Sequence, residues 1–179
     1  MYPFLRMTFQ MRRAGKAPAL PTTGTHISHH ICWPWDLDYW AELNNGRALT
    51  LYDLGRLPLA KRSGLIDVLR KQGWGMTVAG SSVRYRRRVR FMAKFTMKSR
   101  AIGWDSRFIY MEQSMWLANG DCAGHLLMRM AVTSKTGIVP PDAVLTAWGE
   151  DTTSPPLPEW VMAWKAAEDM RPWPPMEDV

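Results

Sequence analysis

The chain has 179 residues, 46% of them hydrophobic and 22% charged, enough for one domain that buries its own core, so wholesale disorder is excluded. Its two cysteines, Cys32 and Cys122, stand too far apart in sequence for a CxxC or zinc spacing and are too few for a disulfide framework, which points to a reducing, cytoplasmic setting. The formal net charge of +7 is unevenly spread: residues 84–100 carry Arg84, Arg86, Arg87, Arg88, Arg90, Lys94, Lys98 and Arg100 with no acid, whereas acids dominate from Asp142 onward.

In chain order, residues 1–24 read as an N-terminal arm joined to the body by a proline-containing loop near 18–21. The arm has arginines at 6, 12 and 13 but no long apolar run and no small-residue cleavage site, so it does not read as a signal peptide. No stretch of eighteen apolar residues occurs to span a membrane. Thr25–Trp33, rich in β-branched and aromatic residues, predicts a first strand. The stretch from Asp36 to Gly46 is turn-rich, and Arg47–Arg62 then shows apolar residues mostly at helical spacing. Gly55 would let that helix lie close to a sheet, while Pro58 predicts a bend or a break. After Gly64 a short helix, Leu65–Gln72, is expected.

From Thr77 the period changes to two. Val83–Phe91 reads as a half-buried strand with Arg84, Arg86, Arg88 and Arg90 on one face. Strands Phe95–Trp104 and Arg107–Leu117 follow, and Asn119-Gly120 signals a hairpin into Cys122–Thr133. The remainder, 136–179, is expected to be a C-terminal appendage with short helices near 141–149 and 158–170. The result is an α+β domain over 25–135, one principal helix on an antiparallel sheet.

The residues that can carry chemistry cluster between the first strand and the long helix: Asp36, Asp38, Glu42, Asn44, Asn45 and Gly46. A helix start offers unpaired N–H groups and a positive dipole end that suit an oxyanion, and a carboxylate just upstream can serve as nucleophile or general base. The same residue types also cap helices, so the pattern alone leaves both roles open. His26, His29, His30 and His125 have no carboxylate spacing that forms a ligand set, and no metal is expected. The basic stretch suits a phosphate-bearing partner, or it is a solvated face.

The run Asp36-x-Asp38-x-x-x-Glu42-x-Asn44-Asn45-Gly46-Arg47 resembles the signature of the hotdog-fold acyl-CoA thioesterases, in particular the 4-hydroxybenzoyl-CoA thioesterase type and its bacterial relatives. Leu51-Tyr52-Asp53-Leu54-Gly55-Arg56, Tyr85-x-Arg87-x-Val89-Arg90-Phe91 and the Asn119-Gly120 turn extend the resemblance across residues 25–135. The resemblance implies a hotdog fold, a long central helix wrapped by a curved antiparallel sheet, in a homodimer or dimer of dimers with active sites at the subunit interface. It places the catalytic carboxylate at Asp38 and the polarising amides near Asn45 and Gly46. Glu42 stands where many relatives carry histidine, and Tyr39-Trp40 where smaller residues are common.

The expected function is hydrolysis of an acyl-CoA thioester to free acid and CoA, with no cofactor beyond the CoA of the substrate. Asp38, Glu42, Asn45 and Gly46 are the expected catalytic set, and Asn44, Ser82, Arg86, Arg88 and Arg90 the expected substrate contacts. A non-catalytic acyl-CoA or lipid-binding protein of the same fold is the alternative. A nucleic-acid module fits less well, because Tyr85 and Phe91 alternate away from the arginines and no glycine–aromatic RNA-binding pattern is present.

Overall fold

Residues Phe4–Lys16 form helix α1 in the computed structural model, which describes residues 2–176. Met7, Gln10 and Ala14 turn toward the body at helical spacing, while Phe4, Leu5 and Phe9 remain exposed. Phe4, Met7, Met11 and Ala14 recur at helical spacing, and the buried side of the helix adds the polar Gln10. The arm is therefore an ordered element packed along the main helix rather than a tether.

Strand β1 (His26–Ile31) leads through a short 3-10 turn, Pro34–Asp36, and a loop into helix α2 (Asn45–Arg62). The expected break at Pro58 does not occur: α2 continues through it to Arg62. A proline at this position costs the Leu54 carbonyl its helical partner. Burial of Leu54, Pro58, Leu59 and Ala60 against the core outweighs that local loss. Helix α3 (Leu65–Gln72) follows, flanked by Gly64 and Gly73, both in the left-handed region.

The sheet is built from β2 (Gly75–Tyr85), β3 (Lys94–Trp104), β4 (Ile109–Leu117), β5 (Cys122–Ser134) and β6 (Gly137–Val139) together with β1. Its order is β1-β3-β4-β5-β2, with β6 also pairing β5, and every pairing is antiparallel. The sheet curls around α2. Gly55 permits the close approach, since a methyl there would stand 2.5 Å from Ser99 Oγ and 2.6 Å from Met97 Sδ. Beside it the buried Gln113 Nε2 donates to the Tyr52 carbonyl and to Ser99 Oγ, each at 2.8 Å, tying helix to sheet.

Two sequence expectations change. The basic strand Val83–Phe91 is not one strand, because β2 starts earlier and ends at Tyr85. Beyond it the Arg86 and Arg87 amides both donate to the Ala123 carbonyl (2.8 and 3.1 Å), which interrupts the alternating ladder. The chain then leaves β5, and the Leu43 amide donates to the Val89 carbonyl at 2.8 Å. Arg86, Arg88 and Arg90 thus lie on a loop and share no strand face.

The tail is also more than an appendage. Helix α4 (Pro141–Trp148) buries Val144 and Leu145 in the main core. Helix α5 (Glu159–Met170) sets Val161 on the outer sheet face against Phe108, Tyr110 and Leu127. The ends of both flanking segments, residues 1 and 177–179, lie outside the described residues.

Candidate active site

The motif folds as a tight hairpin between the 3-10 turn and α2. Leu37 bridges Leu43, the Asp38 amide donates to the Glu42 carbonyl (2.8 Å), and Ala41 takes a positive φ of 57° to close the turn. Tyr39 and Trp40 form its exposed tip, ring against ring at 84°. Asp38 and Glu42 therefore face each other across the hairpin neck. Asp38 Oδ1 accepts from the Trp40 amide at 2.9 Å, and Arg88 pairs with Glu42 at 3.0 Å.

Asp36 has a different task. It is fully buried, with Oδ2 accepting from Arg6 Nη1 (2.6 Å) and from the Trp33 amide (3.1 Å), and Oδ1 accepting from Arg47 Nε (2.7 Å). Its carbonyl accepts from the Asn44 amide at 2.9 Å. It clamps α1, the turn and the start of α2 into one unit, a role that spacing alone does not reveal.

Helix α2 begins as the motif requires. Asn44 is its N-cap, with Oδ1 accepting from the Arg47 amide at 2.9 Å. The side-chain oxygen of Asn44 is thus committed to the helix. The Asn45 and Gly46 amides have no acceptor among the described residues and sit exposed at the positive end of the helix.

Next to them opens a cavity of about 240 Å³ lined by Glu42, Leu43, Asn45, Ala48, Tyr52, Tyr85, Arg86–Arg88, Val89, Met115, Ala123 and Gly124. Glu42, Asn45 and the arginines supply its polar lining, and Leu43, Ala48, Val89, Met115 and Ala123 its apolar lining. Tyr85 Oη donates to the Asn45 carbonyl at 3.0 Å and holds the strand end against the helix start. Burial raises the phenols of Tyr52 and Tyr85 above their ordinary range, so both remain protonated at neutral pH. A larger, open cleft of about 610 Å³ lies between α1, β1 and β3, but none of the predicted site residues reaches it.

Among the predicted residues, the structure brings Glu42, Asn45, Arg86 and Arg88 to one cavity. Asp38 stands one hairpin neck away from it. Arg90 bridges Glu42 through its backbone but does not line the cavity. Ser82 is opposite Leu127, on the outer sheet face, and is separated from the site. Sequence reasoning missed Tyr52, although it lies two helical turns beyond Asn45 on the same face of α2.

A model of the thioesterase-like superfamily matches residues 32–165. Protein THEM6 of Xenopus laevis is 32% identical over 140 residues, 78% of this chain and 66% of that protein. The probable thioesterase YbaW of Escherichia coli superposes with a TM-score of 0.65 at 17% identity, over 70% of this chain and 96% of that one. The DHNA-CoA thioesterase of Staphylococcus aureus superposes with a TM-score of 0.60 at 15% identity, over 81% and 91% respectively. The architecture is the hotdog fold that the motif resemblance implies. With the family match running from Cys32 across the site and into the tail, the chain belongs to the thioesterase-like superfamily.

Proposed function

We propose that this protein hydrolyses acyl-CoA thioesters to a free acid and CoA. The observation that carries the reading is the acceptor-free amide of Asn45, which lines a cavity together with Glu42 and arginines, with the acceptor-free Gly46 amide next to it in the chain, on the neighbouring depression at the helix start. The thioester carbonyl oxygen points at those amides. They hold the negative charge that develops as the carbonyl carbon becomes tetrahedral. Asp38 attacks that carbon or takes a proton from the attacking water, and Glu42, on the cavity wall, orients the water. With water as the nucleophile, the C–S bond breaks, the sulfur takes the proton that Asp38 accepted and leaves as CoA thiol, and the acid gives its remaining proton to solvent and leaves as carboxylate. With Asp38 as the nucleophile, the thiolate leaves first and takes a proton from solvent, and a water then hydrolyses the Asp38–acyl anhydride to the acid and the regenerated carboxylate. What supports Asp38 is its place in the motif, and what supports Glu42 is its place in the cavity. Arg86 and Arg88 meet the CoA phosphates, a task suited to planar guanidinium groups.

The unit is a homodimer. Strand β2 pairs β5 on one side only, which leaves an eleven-residue edge open to a second copy. The Glu42–Arg88 ion pair favours one second reading, acyl-CoA binding without turnover, because it engages a carboxylate that the hydrolytic reading needs. A thiol-release assay combined with direct binding separates the two. Hydrolysis predicts saturable thiol release on at least one acyl-CoA, and tight binding with no release overturns it in favour of the second.

A further inference from the structure

The Tyr52 hydroxyl is the feature of the cavity that the reaction above does not use. Tyr52 is fully buried, lines the cavity, and its Oη has no hydrogen-bond partner among the described residues. Buried hydroxyls nearly always have a partner, and a phenylalanine would fill the same space without leaving one unsatisfied.

Its position relative to the reacting centre follows from helix geometry. The Cα of Tyr52 is about 10 Å along α2 from Asn45, and a long helical side chain leans back toward the helix start. The hydroxyl reaches the level of Gly124, where an added methyl would stand 3.2 Å from Oη. Gly124 pairs with Tyr85, whose own hydroxyl bonds the Asn45 carbonyl. The unpartnered Oη therefore lies against the Gly124–Tyr85 pair, whose tyrosine reaches the helix start, and the lack of a side chain at Gly124 is what lets Oη come this close to the strand.

We propose that Tyr52 is a specificity-determining residue whose hydroxyl hydrogen-bonds an oxygen carried by the acyl chain close to the thioester, so that the site selects short aliphatic 3-hydroxy- or 3-oxoacyl groups over plain alkyl groups of equal length. This rests on the reading of the cavity as an acyl-CoA site. Within one protomer the cavity of about 240 Å³ accommodates a short chain. A site with a fixed hydrogen-bonding group rejects an analogue that lacks the matching oxygen, because the group is then left unpaired.

The test uses the full chain and non-hydrolysable thioether analogues of CoA in matched pairs, S-butyl against S-(3-hydroxybutyl) and S-hexyl against S-(3-hydroxyhexyl), with affinities read by calorimetry. The oxygen-bearing member of each pair should bind about tenfold more tightly. Tyr52→Phe should bring the ratio close to one, and Gly124→Ala, which crowds Oη, should reduce it. Equal binding within pairs by the unsubstituted protein, or an undiminished ratio in Tyr52→Phe, overturns the proposal. Because the probes report binding, failure of hydrolysis is seen separately. Absent turnover with retained pair discrimination overturns the hydrolytic reading alone, and no binding by any analogue overturns both.

Discussion

Asp38→Asn separates chemistry from architecture at one atom. Asp38 Oδ1 accepts from the Trp40 amide at 2.9 Å, and asparagine keeps an oxygen there, so the hairpin should hold. Replacing a charged acceptor by a neutral one at this half-exposed site costs about 1 kcal/mol or less of stability. A carboxamide neither attacks a thioester nor takes a proton from water, so kcat should fall by about a hundredfold or more, equivalent to about 2.7 kcal/mol of barrier. The neighbouring Asp36→Asn should behave in the opposite way. Asp36 is buried between Arg6 and Arg47, and neutralising it removes the buried charge that both ion pairs rest on, at a cost of about 3–5 kcal/mol. Urea denaturation and thiol release on both variants provide the assay. A fully active Asp38→Asn refutes the assignment, and an unfolded one returns the residue to a structural role.

Further expectations follow from other parts of the molecule. Gly55→Ala should destabilise by about 1–3 kcal/mol in urea, since the methyl meets Ser99 Oγ at 2.5 Å, and an unchanged midpoint would contradict the close helix–sheet packing. Arg86→Ala should raise KM with little change in kcat, Arg88→Ala should raise KM and also change kcat because it frees Glu42, and Arg90→Ala, outside the cavity, should raise KM least. His26 and His30 are buried, and desolvation, aided by nearby arginines, lowers them to about 4 and about 3. Both are protonated near pH 6.5 in the unfolded chain and much lower in the folded one, so stability is fully present above pH 6.5 and declines as pH falls toward 4. The slope should approach 1.4 kcal/mol per pH unit for each residue, roughly, and should be shallower in His30→Gln; urea midpoints between pH 5 and 7 check this. Light scattering should give a dimer mass rather than the 20.5 kDa of one chain.

Much of the fold was legible because strong turn residues separate the elements, Gly64 and Gly73 around α3 and Asn119-Gly120 between β4 and β5, even though β5 is buried on both faces and shows no strict alternation. Helix α1 carries helical spacing at Phe4, Met7, Met11 and Ala14, but the intervening arginines and the buried polar Gln10 obscure it. The arginine alternation in 84–90 imitated a strand, and the double use of one acceptor, Ala123, breaks it where no local signal announces the break. At the site, the placement of Asn45 and Glu42 on one cavity was foreshadowed by their spacing. The clamping position of Asp36 was not, because it depends on Arg6, thirty residues upstream. Tyr52 was part of a recognised run, yet its meaning arises only from the absence of a partner in three dimensions.

The central claim is tested most directly by thiol release from purified protein over a panel of short, long and aromatic acyl-CoAs, with Asp38→Asn measured alongside. The account predicts saturable release of CoA from at least one substrate, reduced about a hundredfold or more in the variant. No release above background from any substrate, or equal release by the variant, would contradict it.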